Sequence, residues 1–121
     1  MVARSNYVPD RAHLIWLEFT PQTGREQAGR RPALVLSPKA YNEITSLALV
    51  CPITSKVKGY PFEVAVPGGL AIKEGVVLAD HLKSVDWRAR SATYADSAPA
   101  EFVDAVWRKL RALLEPARAP A

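Results

Sequence analysis

The stretch TGREQAGRRPALVLS, residues 23–37, crowds Arg25, Glu26, Gln27, Arg30 and Arg31 into a turn with two glycines, then falls straight into an apolar run. A connection that only reverses the chain has no need of so many charged groups. Arginine is the side chain best suited to phosphate. Its planar fork meets two phosphate oxygens at once and stays charged at any relevant pH. The first chemistry to consider is therefore stabilisation of charge on a phosphorus-bound oxygen.

Elimination narrows the rest. Two histidines, one cysteine and scattered carboxylates give no pair at metal-ligand spacing, so no metal site and no cofactor are expected. No GxSxG elbow, P-loop or GxGxxG stretch occurs. Catalysis by this chain would have to run without metal, nucleotide or a standard triad. RNA suits that shortage, because each phosphate has a 2'-hydroxyl beside it that serves as nucleophile. An enzyme then needs only to orient that hydroxyl, help move protons and stabilise the developing charge. A positioned acid or base typically adds about 10²- to 10⁴-fold.

The elements that must position these groups can be read from periodicity. HLIWLEFT (13–20) alternates Leu14, Trp16 and Glu18 with Ile15, Leu17 and Phe19, which predicts a first strand broken by Pro21 and Gly24. PALVLS (32–37) predicts a short second strand covered on both faces, followed by PKAYNEIT as a loop or short helical turn. SLALVCPI (46–53) predicts a third strand ended by Pro52, and PFEVAV (61–66) a fourth after the basic turn TSKVKGY. GVVLAD (75–80) predicts a fifth, with SVDW and SATYAD as further short strands. Strands so short and close favour a small barrel or sandwich over βαβ units.

The period changes near the C-terminus. From Pro99 to Glu115 the residues Phe102, Val103, Val106, Leu110, Leu113 and Leu114 fall three or four apart, the stripe of an amphipathic helix. Ser97 or Asp96 is the expected cap, Pro99 suits the first turn and Pro116 stops it. The polar face with Arg108, Lys109 and Arg111 reads as solvated, and PARAPA as a frayed tail.

Bulk properties agree with one domain over 1–121. A chain of 121 residues can bury roughly two-thirds of its unfolded surface without staples. Lone Cys51 reads as a buried, inert thiol in a reducing compartment. No apolar run approaches the about 18 residues that cross a bilayer, and the N-terminus lacks the apolar middle of a signal peptide, so a cytoplasmic protein is expected. A net charge of +4 biases the surface toward polyanions.

Four stretches in this order and spacing, LIWLEF, GREQAGRRPALVLSP, CPITSKVKGYPFEV and GVVLADHLKSVDWRARSAT, resemble the MazF/PemK family of toxin endoribonucleases from about Tyr7 to Leu114. The resemblance implies a mainly β fold, a small SH3-like barrel with a long C-terminal helix, in a homodimer whose interface shapes an RNA groove. It implies metal-independent cleavage of single-stranded RNA at short sequences, leaving a cyclic phosphate and a 5'-hydroxyl. It also implies a cognate MazE-like antitoxin with an acidic tail.

Carried over by position, the family's arginine before proline is Arg31 and its threonine at the end of the third strand is Thr54. The resemblance gives Arg31 the pentacoordinate phosphorane to stabilise, and Thr54 a phosphate oxygen to hydrogen-bond. Arginine is a poor general base, since its pKa lies above about 12. Glu26 matches an acidic loop residue that orients Arg31 or acts as base, and Gln27 an amide that reads a base edge. Arg25, Lys56 and Lys58 flank the region as phosphate contacts. His81 stands where family members often have a glutamine that touches RNA, so sequence preference is where departure is expected.

Plainer readings stand beside these. Arg31 can pair with Glu26 to hold the turn, Thr54 can bond its own backbone, and His81 can be structural. Trp16 and Phe19 are the aromatics nearest the first loop and the candidates to stack on a base, with Trp16 better suited to packing; Trp87 and Trp107 are assigned to packing. A rival function is a toxin that cuts nothing. The same barrel occurs in gyrase poisons that resemble CcdB, and these act by holding a protein partner.

Overall fold

Alternation in HLIWLEF sends Leu14 and Trp16 to one face and Ile15 and Leu17 to the other, and this stretch is strand β1, His13–Phe19. The structure, a computed structural model, describes residues 6–19 and 29–117. Strand β2, Gly29–Val35, runs antiparallel to β1 with Leu14 opposite Leu34 and Leu17 opposite Arg31. It begins three residues before the expected Pro32, because β1 is long enough to pair back to Gly29. A short helix α1, Lys39–Thr45, leads into β3, Leu47–Thr54.

Strand β3 organises the rest of the sheet. One edge pairs with β2; the other takes β6, Lys83–Asp86, along Leu47–Val50, and β5, Val76–Leu78, along Ile53 and Thr54. Pro52 was expected to end this strand and does not. It falls in the gap between the β6 and β5 pairings, where a missing N–H breaks no ladder bond.

Strand β4, Glu63–Ala65, is shorter than expected and pairs only with β5. A single 3₁₀ turn, Ala79–His81, joins β5 to β6, and β7, Thr93–Ser97, closes on β1. The sheet order is β4-β5-β3-β2-β1-β7, with β6 beside β3, and every pairing is antiparallel. The seven-stranded sheet is not closed: β4 and β7 end it.

The C-terminal helix α2, Ala100–Leu114, has the expected stripe, and Phe102, Val106 and Leu110 are buried. Its N-cap is Pro99 and carries no side-chain cap. The expected cap Asp96 is engaged elsewhere, accepting the Ala71 and Ser97 N–H groups at 2.8 Å. Trp107 was assigned to packing, yet it is 50% exposed because it lies off the stripe, and Leu113 and Leu114 are exposed as well. No helix among the described residues is long and apolar enough to cross a membrane.

Two cores result, one on each face of the sheet. Leu14, Leu34, Cys51, Ile53 and Val77 pack under α2. Ile15, Leu17, Ala33, Val35, Ala48, Val50, Val85 and Trp87 form the other, covered by Tyr7 and Val8. Each fully buried Leu, Ile or Val contributes about 1.5–3 kcal/mol relative to exposure. Cys51 is fully buried, and burial pushes its thiol up to about 12, so it is inert as expected.

The arm before β1 is held by polar contacts that periodicity could not reveal. Buried Asn42 donates to the carbonyls of Pro9 at 2.8 Å and Ser37 at 3.0 Å, and its own carbonyl accepts the Trp87 indole N–H at 2.8 Å. Asp10 accepts the N–H of Lys39 at 2.9 Å, which serves the start of α1 where Pro38 offers no cap.

Candidate active site

Neighbouring residues on a strand point to opposite faces, so Arg30 and Arg31 cannot do the same work. Arg30 is spent on structure. It donates to Glu18 at 3.2 Å, to the carbonyls of Trp16 and Ser91 at 3.3 Å each, and to the Thr93 hydroxyl at 2.5 Å, tying β1 and β2 to the start of β7. Arg31 is exposed on the other face, opposite Leu17.

Proline after this pair has a physical role. On β2, Leu36 donates its N–H to the Leu49 carbonyl of β3 at 2.8 Å, so the even-numbered residues of β2 point their backbone groups at β3. Pro32 is the next such position past Leu34 and has no N–H to give. The recorded β2–β3 pairing accordingly stops at Ala33 opposite Pro52. Continued two residues past that stop, the register sets Arg31 across from Thr54, where the ladder has released both strands.

Thr54 is the last residue of β3, half-buried, and pairs with Val76 on its far edge. Its hydroxyl oxygen accepts the Lys56 N–H at 3.1 Å. That is the backbone contact a strand-end threonine commonly makes, and it leaves the hydroxyl proton available to an acceptor outside. Gly75 supports Thr54 from behind. It adopts φ +126°, and a Cβ there would sit 2.6 Å from the Thr54 carbonyl oxygen, a distance that only glycine allows.

Lys56 and Lys58 are exposed on the segment that leaves Thr54. His81 lies apart from Arg31. It is exposed on the 3₁₀ turn between β5 and β6, both of which border β3 on the edge opposite β2, and its Nε2 is 3.9 Å from Asp80. Arg31 and His81 therefore flank β3 from its two sides. Arg25, Glu26 and Gln27 lie outside the described residues.

Of the aromatics considered for stacking, Trp16 packs against the core beneath α2. Phe19 is half-buried with the Arg90 guanidinium 4.5 Å from its ring centre, so one ring face is occupied. Sequence reasoning missed the fixed role of Arg30, whose partners Ser91 and Thr93 lie some sixty positions away. It also missed Gly75. A glycine directly before an apolar strand was the available signal.

The chain as a whole is similar to known proteins. Residues 10–114 match the family described as PemK-like, MazF-like toxin of type II toxin-antitoxin system. The endoribonuclease toxin MazF of Escherichia coli K12 is 47% identical over 110 residues, covering 91% of this chain and 97% of that protein. The endoribonuclease PemK of Escherichia coli is 33% identical over 104 residues, covering 83% and 78% respectively. Among solved structures, a chain of the MazE–MazF complex from Deinococcus radiodurans superposes with a TM-score of 0.85 at 59% identity, covering 90% of this chain and 97% of that one.

Proposed function

This chain belongs to the PemK-like, MazF-like family of type II toxin–antitoxin toxins, and from that premise we propose that it is a sequence-specific endoribonuclease that cuts single-stranded RNA without a metal. In this reading the 2'-oxygen of the RNA attacks the adjacent phosphorus. The bond from phosphorus to the 5'-oxygen breaks, leaving a 2',3'-cyclic phosphate and a 5'-hydroxyl. One proton leaves the attacking hydroxyl and one is delivered to the departing oxygen.

Arg31 takes the charge that builds on the phosphorane oxygens, and the Thr54 hydroxyl donates to one of them. The single observation supporting this pairing is the strand register that continues Arg31 opposite Thr54 just past Pro32. Preorganised donors of this kind need no rearrangement as charge develops, which is why they contribute so much of an acyl- or phosphoryl-transfer barrier. Glu26 is the candidate to orient Arg31 or to take the 2'-hydroxyl proton. Arg25, Lys56 and Lys58 contact phosphates, Gln27 reads a base edge, and His81 touches RNA from the far side of β3 and sets which sequence is preferred.

The protein would act in the cytoplasm as one toxin domain in a homodimer. A cognate MazE-like antitoxin with an acidic tail would hold it inactive, and the net charge of +4 suits both an acidic peptide and RNA.

Incubation of the purified protein with a whole transcript pool in EDTA, followed by mapping of cut ends, tests the reading. Wild type is expected to cut at one short sequence with cyclic-phosphate ends and Arg31→Ala to leave the pool intact, while His81→Gln changes the sites cut more than the rate. Intact RNA with wild type would refute the nuclease and favour a toxin that acts by holding a protein.

A further inference from the structure

The segment from Ser55 to Phe62 has no regular structure, yet it is pinned along its length. At its start the Thr54 hydroxyl accepts the Lys56 N–H at 3.1 Å. In its middle one carboxylate holds two backbone groups: Glu63 accepts the Lys58 N–H at 3.1 Å and the Gly59 N–H at 2.9 Å. Gly59 adopts φ +80°, which bends the chain at that point. Glu63 in turn donates its own N–H to the Tyr60 carbonyl at 3.1 Å, and the Lys109 ammonium reaches from α2 to the Pro61 carbonyl.

These contacts present one aromatic ring to solvent. Tyr60 is 60% exposed, and the Lys58 ammonium lies over its ring, 5.8 Å from the centroid. Other exposed aromatics among the described residues sit elsewhere: Tyr41 on α1, Trp107 on α2, and Tyr94 on β7, where its hydroxyl bonds Ser97. Only Tyr60 lies on the segment that issues from Thr54.

Topology sets where the ring sits. Strand β3 pairs with β5 at Thr54 opposite Val76, and β4 enters at Glu63 opposite Leu78, at the other end of β5. The connecting segment therefore runs the length of β5, and Phe62 arrives beside the 3₁₀ turn, its carbonyl accepting the Ala79 N–H at 3.1 Å. Three strand residues span roughly 7 Å. The segment thus joins the Thr54 end of the site to the turn that carries His81, with two exposed cations and one exposed ring along it.

We propose that Tyr60, with Lys58 over its ring, is a stacking platform for a base next to the cleaved linkage. The proposal rests on the reading of this protein as an endoribonuclease. A base has a π-face whatever its identity, so an exposed ring fixed by its backbone can hold the strand without fixing the sequence. Lys58 occupies one face of the ring, as Arg90 does at Phe19, leaves the opposite face to a base, and adds attraction for the neighbouring phosphate. Glu63 acts as a positioning residue, because it fixes the backbone on both sides of Gly59 rather than touching RNA.

Steady-state cleavage in EDTA of a single-stranded RNA containing a site that wild type itself cuts tests the platform. Tyr60→Ala is expected to raise KM about tenfold, as loss of one base–aromatic stack does, with kcat within about twofold and an unchanged melting temperature. Tyr60→Phe is expected to keep the wild-type KM, because stacking needs the ring and not the hydroxyl. Lys58→Ala is expected to lower the salt slope of KM by about one. An unchanged KM in Tyr60→Ala, a Tyr60→Phe variant as weak as Tyr60→Ala, or a loss confined to antitoxin binding would each overturn the platform. Failure of wild type to cut any RNA would instead overturn the nuclease reading, and the platform with it.

Discussion

Two adjacent arginines divide labour because a strand turns them to opposite faces. Arg30 is committed to four protein partners on β1 and near β7, whereas Arg31 is exposed at the position where the β2–β3 register, continued past its last pair, meets Thr54. Arg30→Ala should lower stability by about 1–2 kcal/mol in urea titration, since a charged donor to backbone carbonyls is lost at a partly exposed site. In the proposed mechanism the Thr54 hydroxyl supplies the chemistry and the carbon framework does not. Thr54→Val is expected to lower kcat about 10²- to 10³-fold with little change in fold, and Thr54→Ser to retain most of the rate. Single-turnover cleavage with a melting curve for each variant reads both effects. The sequence marked Arg31 and Thr54 through their family resemblance. Residue types alone could not show that Arg30 is structural, because the partners that occupy it come from residues far along the chain.

Prolines and a glycine shape the elements around the site. Pro32 ends the β2–β3 ladder just before Arg31, and Pro52 falls between two pairings on the other edge of β3. Pro52 was readable as a strand end only while its partner strands were unknown; a central strand tolerates proline where two edge partners meet. Gly75 holds the strand end from the β5 side. Gly75→Ala is expected to cost about 1–3 kcal/mol through its positive φ and the clash with the Thr54 carbonyl, and to reduce kcat more than it changes KM. An unaltered kcat would separate Gly75 from the site.

The arm before β1 carries a pH dependence. His13 accepts the Asp10 N–H at Nδ1 at 3.2 Å, with the Tyr7 hydroxyl 2.7 Å from the same nitrogen, and burial holds its pKa below the usual histidine value. The unfolded chain therefore binds a proton more readily, so stability falls as pH drops below about 6.5. Asp10 is held below the usual carboxylate value chiefly by the Lys39 N–H, and its contribution is lost further down, below about 4. Urea midpoints followed from pH 8 to pH 3 should fall in those two windows, with His13→Gln flattening the first and Asp10→Asn shrinking the second, to which Asp86, held low chiefly by the Ala89 N–H, also contributes.

One sheet with a core on each face leaves the proposed site to strand ends and connections. Among the described residues, helix α2 packs on one face, and Tyr7 and Val8 pack against the core of the other, the face on which the exposed Arg31 lies opposite Leu17. The mainly β architecture, the succession of strands along the chain and the final helix were legible from alternation and from the change of period after Pro99. The open sheet, the exposed Trp107 and the pinned segment around Tyr60 were not, since they depend on which strands become neighbours. Everything proposed for catalysis requires that Arg31 and Thr54 act on one phosphate. A double-mutant cycle of Arg31→Ala and Thr54→Val, read as single-turnover cleavage of one mapped RNA site in EDTA, tests that most directly. Residues acting as a unit are strongly non-additive, so the double variant should be hardly slower than the slower single variant. Losses that multiply across the two variants would show the groups working independently and contradict the account.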